Sequence, residues 1–296
     1  MRALVAGWFS FEEMGATAGD LIARDLVCGW LKSNGSVFDV AVAPPFTDGV
    51  DWRHVDPAAY DEVIFVCGPF GNGQPITDFC ERFAGVRLVG LNLSMLQPLD
   101  EWNPFNALFE RDSSRTTRPD VTFLGAAPKV PVAGVVLVHP QNEYPDAMHE
   151  TANAAIARLA ASREMAIVPI DTRLDVNSTG LRTPAEVESL IARMDVVLTT
   201  RLHGMVLAIK NGVPPVVIDP FAGGRKVLAQ AKAIGWHMAF AADELDDGKL
   251  ADALEYCLTA EARAAAACIR DRAAAALRET RDAFLAASGL NGKREA

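Results

Sequence analysis

The sequence predicts an α/β protein made of two similar halves, each a parallel sheet flanked by helices. Three observations carry this. Short β-branched runs alternate with longer helical stretches along the chain, the pattern of parallel α/β layers. A segment with two prolines, G-A-A-P-K-V-P (125–131), interrupts the alternation, which then restarts. The chain has 296 residues, and at about 150 residues per domain that length suits two domains. The expected units are 1–128 and 129–296.

Each element has its own signal. Residues 2–6 (R-A-L-V-A) read as the first strand, ending at Gly7. A loop leads to a helix from 19 to 33, where Ile22, Leu26 and Trp30 fall at i, i+4 and i+8 and supply an apolar face. Asn34-Gly35 stops that helix. Strands follow at 37–42, 63–67 (V-I-F-V-C) and 86–91. Pro98, Pro104 and Pro119 make 95–120 irregular, and a short strand is expected at 121–124. Beyond the proline segment, strand 134–138 leads to a helix at 146–163. Strand 166–170 leads through a polar loop to a helix at 184–194. Thr183-Pro184-Ala185-Glu186 opens that helix as a capping box with proline at the first helical position. Strand 196–200 runs into a helix at 203–211 that Gly212 ends. Pro214–Asp219 is the next strand, and a helix at 225–234 stops at Gly235. From 244 the chain is helical. Its Ala- and Arg-rich stretch 260–287 alternates Arg with acidic residues, which suits a solvated face with i, i+4 pairs.

Composition excludes several classes. Half the residues are hydrophobic and 22% are charged, so the chain is globular rather than disordered or fibrous. The net charge of −10, with no basic stripe, argues against a nucleic-acid partner. Residues 1–130 carry a net −7 and 131–296 a net −3, which places an anionic ligand preferentially in the second half. The cysteines (Cys28, Cys67, Cys80, Cys257, Cys268) form no C-x-x-C pair and read as buried free thiols. No apolar run reaches the ~18 residues of a membrane span. The N-terminus runs straight into a strand with no leader-like segment, so the expected location is the cytoplasm.

Two Rossmann-like halves place a ligand beyond the carboxyl ends of the strands, in a cleft between domains. The most informative such turn is D-V-V-L-T-T-R-L-H-G-M-V (195–206). A buried strand ends at Thr199-Thr200, and Arg201, His203 and Gly204 sit where it turns into a helix. Free N–H groups at a helix N-terminus favour an anion. A guanidinium adds a bidentate fork for phosphate or carboxylate, and His203 can move a proton near neutral pH. Gly204 would let a ligand approach the backbone closely. The alternative is that Arg201 pairs with an acid of its own domain and His203 only packs.

Other candidates are less specific. Loop H-P-Q-N-E-Y-P-D (139–146) brings His139, Asn142 and Glu143 to a strand end, where they reach a ligand, or where Asn142–Asp146 turns the chain and caps the helix. Asp20 reads as a helix N-cap, or else as a ligand contact. Gly68, Gly71 and Gly73 form a turn whose N–H groups could face the cleft. Trp8 and Phe9 either stack on a sugar or pack in the core. No H-x-H, H-E-x-x-H or Cys/His cluster occurs, so no metal is expected.

D-V-V-L-T-T-R-L-H-G-M-V-L-A-I-K-N-G-V-P-P-V-V-I-D (195–219) resembles the polysaccharide pyruvyl transferase family, with its R-L-H-G motif after an apolar strand, then G-V-P and a further strand. Lys226 in G-G-R-K-V matches a lysine that follows in the family. In the first half, Gly7, Gly15 and Gly19-Asp20 look like its opening glycine loop, and Y-D-E-V-I-F-V-C-G-P-F-G-N-G (60–73) like its strand and glycine-rich turn. F-E-R-D-S-S (109–114) and R-P-D-V-T-F (118–123) look like its R-D-x-x-S and P-D segments. Where family members often carry an arginine at the end of the second half's first strand, this chain has His139.

The resemblance implies two facing Rossmann-like domains of GT-B type, with an acceptor side in 1–128 and a donor side in 129–296. It implies transfer of the three-carbon unit of phosphoenolpyruvate to two sugar hydroxyls, giving a pyruvate ketal and phosphate. Phosphoenolpyruvate is then a co-substrate, with no separate cofactor, and the acceptor is a glycan or glycoside. Arg201 and His203 are the implied catalytic pair. The donor is held by Arg201, His203, Gly204, Lys226 and Arg225, with His139 and Asn142. The acceptor lies against Gly7, Trp8, Asp20, Gly71 and Glu143. His203 acts as the general acid or holds the phosphate, and Glu143 is the other acid considered. A homodimer is the default oligomer. The competing readings are a glycosyltransferase using a nucleotide sugar and a non-catalytic binding protein of the same fold. A dinucleotide-binding dehydrogenase is disfavoured because the first glycines do not make G-x-G-x-x-G.

Overall fold

The structure, a computed structural model, describes residues 1–139 and 147–288. The chain divides into two units, Met1–Pro128 and Lys129–Ala296.

The first unit contains, in order, β1 (Arg2–Gly7), α1 (Ala18–Ser33), β2 (Val37–Val40), β3 (Glu62–Val66), β4 (Pro69–Phe70), α2 (Ile76–Arg82), β5 (Arg87–Leu91), β6 (Ser94–Met95) and β7 (Ala107–Phe109). Its main sheet is parallel throughout, ordered β2-β1-β3-β5-β7. Strands covered on both faces read as unbroken apolar runs, and β1 is buried from Ala3 to Gly7. One side of this sheet carries an aromatic core, in which Phe65 meets Phe70 and Phe79 at ring-centroid distances of 4.8 and 5.5 Å.

Four expectations for this unit are corrected. Helix α1 buries Asp20, Ala23, Val27 and Leu31, not Ile22, Leu26 and Trp30. Ala23, Val27 and Leu31 also recur at i, i+4 and i+8, and the small Ala23 lets the helix settle against Ala3, Val5 and Ile64. The N-cap of α1 is Thr17, and Asp20 closes its capping box by accepting from the Thr17 N–H (2.7 Å) and hydroxyl (2.6 Å). Residues 121–124 are a 3-10 turn rather than a strand. The Asp120 carboxylate accepts from the Thr122 N–H and starts the turn, while β7, inside the stretch expected to be irregular, supplies the sheet's fifth strand.

The second unit contains β8 (Val132–Val136), α3 (His149–Ala161), β9 (Ala166–Pro169), α4 (Pro184–Ile191), β10 (Val196–Thr199), α5 (Leu202–Lys210), β11 (Pro215–Asp219), α6 (Lys226–Ile234), β12 (Ala239–Ala241), α7 (Asp247–Cys257) and α8 (Ala260–Ala287). Its parallel sheet is ordered β12-β11-β10-β8-β9. Thr183 caps α4 with Pro184 at the first helical position, as the T-P-A-E pattern predicts. Gly235 ends α6 with φ of 77°, a left-handed conformation that favours glycine. Helix α8 buries Ala262, Ala266 and Ile269. Its charged pairs Arg270–Asp271 and Arg281–Asp282 join sequence neighbours, not residues one turn apart.

Both sheets share one topology. In each, the second strand lies outside the first and the third lies on the first strand's other side. The order therefore reverses between β1 and β3 in one unit and between β8 and β10 in the other. In open parallel sheets, ligands bind at that reversal, outside the carboxyl ends of the strands. The α/β class and the helical C-terminal stretch are those the sequence predicts. Among the described residues, no helix is long and apolar enough to cross a membrane.

Candidate active site

The reversal in the second unit is built by two adjacent threonines at the end of β10, both buried. The Thr199 hydroxyl donates to the Val136 carbonyl (2.8 Å) and accepts from the Arg201 N–H (2.9 Å), so the turn into α5 is latched to β8. The Thr200 hydroxyl accepts from the Val138 N–H (2.8 Å) and donates to Asn153 Oδ1 (2.9 Å). The Asn153 amide in turn donates to the Val138 carbonyl (3.3 Å). This network ties α3 to the ends of β8 and β10. The Met148 N–H donates to the Pro220 carbonyl (2.7 Å) and pins the start of the same helix to the loop after β11.

These ties enclose a cavity of about 210 Å³, lined by His149, Thr200, Arg201, His203, Phe221 and Lys226 among others. Arg201 is the N-cap of α5, and no side chain caps the helix. The first-turn N–H groups of α5 thus remain for a ligand beside the Arg201 guanidinium. His203, on the first turn, is exposed.

The guanidinium is held from behind by Asp171, which follows β9. Asp171 Oδ1 accepts from Arg201 Nη1 at 3.3 Å and from the Arg173 N–H at 2.9 Å. Its Oδ2 accepts from the Ser178 N–H and hydroxyl, both at 3.1 Å, and lies 3.2 Å from His139 Nε2. Burial alone would raise this carboxyl's pKa. The donors outweigh burial and hold it at about 2, so Asp171 is an anion despite being only 4% exposed. Burial also lowers the Arg201 pKa, against which the Asp171 charge acts. Arg201 therefore does pair with an acid of its own domain, and the pairing leaves it in the cavity wall.

The other predicted donor residues divide. Lys226 lines the cavity with Arg201 and His203. Arg225 does not: its guanidinium sits over the Phe221 ring at 5.3 Å. The first turn of α6 is already satisfied, because buried Asp219 accepts from the N–H groups of Arg225 (2.7 Å), Val227 (3.1 Å) and Leu228 (2.9 Å). An anion is thus directed to α5 rather than α6. Gly204 serves packing: a Cβ there would overlap the Thr199 hydroxyl and lie 3.0 Å from Val136. His139 lies against Asp171, whose other oxygen accepts from Arg201. Asn142 and Glu143 lie outside the described residues.

The first unit has its own cavity at its reversal, of about 510 Å³, with Trp8, Asp20, Cys67, Gly68, Arg111 and Asp120 in its wall. Trp8 Nε1–H donates to the Pro69 carbonyl (3.1 Å) across the ends of β1 and β3. Arg111 pairs with Asp120 (3.0 Å) and Asp112 (3.1 Å). Burial would raise the Asp120 pKa, but bonds from Thr122, Arg111 and Asn92 bring it to about 2. Cys67 is held protonated at neutral pH, its pKa raised by burial to about 11. Trp8 and Asp20 line this cavity, whereas Phe9 is buried in the core. Gly7 and Gly71 serve packing: a Cβ would press on Phe9 and the Val66 carbonyl at Gly7, and on Leu96 at Gly71.

Sequence reading missed Asp171, His149 and Asn153. The signal for Asp171 was its place on a loop after a strand. His149 and Asn153 stand one helical turn apart on α3, a spacing that places both on one face. Among the described residues, no group of three His, Cys, Asp or Glu side chains could hold a metal ion.

Comparison with known proteins agrees with the R-L-H-G reading. No curated protein matches the chain. Solved structures that align with it include the spinosyn forosaminyltransferase SpnP (13% identity, 92% of this chain and 94% of that one, TM-score 0.34). They also include the UDP-GlcNAc 2-epimerase of Methanocaldococcus jannaschii (10%, 87% and 92%, 0.33) and the ADP-heptose lps heptosyltransferase II of E. coli (12%, 87% and 98%, 0.30). The family model described as polysaccharide pyruvyl transferase matches residues 119–220. That span holds His139, His149, Asp171, Arg201, His203 and Gly204, and it ends before Arg225 and Lys226. The resemblance read from the R-L-H-G segment is thus to a family whose own model aligns with residues 119–220 of this chain, the polysaccharide pyruvyl transferases.

Proposed function

We propose that the protein transfers the pyruvyl unit of phosphoenolpyruvate to two hydroxyls of a glycan or glycoside, forming a pyruvate ketal and releasing phosphate. One observation carries this reading. Arg201 and His203 stand at an uncapped helix start on the sheet's reversal, facing one cavity with Lys226, within a segment that matches the pyruvyl transferase model.

The donor carries a phosphate and a carboxylate, and this cavity offers two cationic side chains and the α5 N–H groups. Arg201, oriented by Asp171, binds one anionic group as a fork. Protonation of the donor's methylene carbon makes the adjacent carbon oxocarbenium-like, and a sugar hydroxyl adds there. Phosphate then leaves, and the second hydroxyl closes the ketal. One hydroxyl proton replaces the proton given to carbon and the other leaves with phosphate, so the sum balances. His203, exposed on the first turn of α5, is assigned the proton transfer. The scheme calls on no metal or separate cofactor. The acceptor is assigned to unit Met1–Pro128, whose cavity presents Trp8 and Asp20.

The test is a thermal-shift titration of wild type and Arg201→Ala with phosphoenolpyruvate, UDP and GDP, followed by phosphate-release assays with glycoside acceptors. A ligand at 100 times its Kd stabilises the fold by about 2.7 kcal/mol. Stabilisation by phosphoenolpyruvate alone, lost in Arg201→Ala, is the expected result. Stabilisation by a nucleotide and not by phosphoenolpyruvate would replace this reading with a nucleotide-sugar glycosyltransferase.

A further inference from the structure

His149 opens α3 and is 8% exposed, yet among the described residues neither of its ring nitrogens has a hydrogen-bond partner. Its ring stands edge-on to Phe221, with centroids 6.0 Å apart at 72°. That contact accounts for the ring carbons and leaves the nitrogens unexplained. A buried polar atom without a partner is costly, and native structures rarely keep one without a use. The surrounding structure fixes the first turn of α3, which carries this ring. Met148 is tied to Pro220, and Asn153, one turn along, is tied to Thr200 and Val138. The same cavity holds His203, Lys226 and Arg201.

We propose that His149 is a ligand-contacting residue, whose ring N–H donates to a phosphate oxygen of the bound substrate. This rests on the phosphoenolpyruvate reading and adds to it a residue contributed by α3. Phosphate is favoured over carboxylate because donors reach the cavity from three elements, α3, α5 and α6. A phosphate presents three terminal oxygens in tetrahedral directions to donors from three sides, whereas a carboxylate presents two in one plane. Burial and the nearby Lys226 charge lower the pKa of His149. At neutral pH the imidazole is therefore uncharged, with one nitrogen able to donate and the other to accept.

The chain has five histidines, so ring-¹⁵N-labelled protein gives signals that single His→Gln variants assign. Wild type, His149→Gln and His149→Phe are titrated with inorganic phosphate and, separately, with pyruvate. Expected is a phosphate-dependent shift of the His149 ring nitrogens with the same midpoint as that of His203. His149→Phe should bind phosphate about tenfold or more weakly, the scale of one hydrogen bond to a charged group, with an unchanged or higher melting temperature. Pyruvate should shift His149 less. If phosphate binds and moves His203 while His149 stays still and His149→Phe binds equally well, His149 only packs and the inference fails alone. If pyruvate shifts His149 and phosphate does not, the assignment to phosphate fails. If neither phosphate nor phosphoenolpyruvate binds wild type, the functional reading fails and the inference with it. The titration of wild type decides the question even if His149→Phe does not fold.

Discussion

Replacing Asp171 with asparagine removes, at nearly constant volume, the charge on which five donors converge. These are His139, Arg201, the Arg173 N–H, and the Ser178 N–H and hydroxyl. The folded carboxyl titrates at about 2 against an ordinary 3.8. That difference corresponds to about 2 kcal/mol favouring the ionised form in the folded state. Asparagine resembles the protonated form, so Asp171→Asn should be less stable than wild type by about 2 kcal/mol at pH 7. The sign of the pH dependence follows from a folded pKa below the unfolded one. The contribution is fully present above about pH 5, about half gone at pH 3, and nearly lost by pH 2. Equilibrium urea unfolding of both proteins at pH 7, 5 and 3 measures it. A stability gap that stays constant between pH 7 and 3, or one below ~0.5 kcal/mol at pH 7, would show that the converging donors do not stabilise the Asp171 carboxylate in the folded protein.

His203→Ala should lower phosphate release by about 10²–10⁴-fold with little change in phosphoenolpyruvate affinity by calorimetry; an affinity loss alone would make His203 a phosphate ligand. Gly204→Ala forces a Cβ into Thr199 and toward Val136, and overpacking of this kind costs about 1–3 kcal/mol. A lowered melting temperature checks it, and an unchanged one would show that β10 and α5 can separate freely. Asp219→Asn weakens a carboxylate that three N–H groups of the α6 start converge on. A loss of about 2 kcal/mol in urea unfolding is expected from the weakened charge-assisted bonds, with faster amide exchange at Val227 and Leu228.

Much of the fold is legible one segment at a time. The apolar runs at β1, β3, β10 and β11 declare themselves because strands covered on both faces need no alternation. Thr183-Pro184 marks the start of α4 because capping is a local hydrogen-bond requirement. Errors arise where two local patterns compete. Both faces of α1 carry apolar residues at helical spacing, and Ile22, Leu26 and Trp30 are on average bulkier than the residues of the face that packs. What decides between them is how closely a helix can approach the sheet, which the small Ala23 permits.

The sequence by itself determined that Arg201 and His203 would stand at a strand-to-helix turn, because strand, turn and helix are contiguous there. Only the tertiary structure decided what meets them. Asp171 and His149 are separated from Arg201 by 30 and 52 residues, and no periodicity encodes which loops of a parallel sheet will be neighbours. That depends on strand order, with β8 beside both β9 and β10 and β11 next to β10. The order brings the ends of β8, β9, β10 and β11 and the start of α3 to one side of the sheet. The same packing turns Gly204 from a ligand-facing glycine into one that admits the Thr199 side chain.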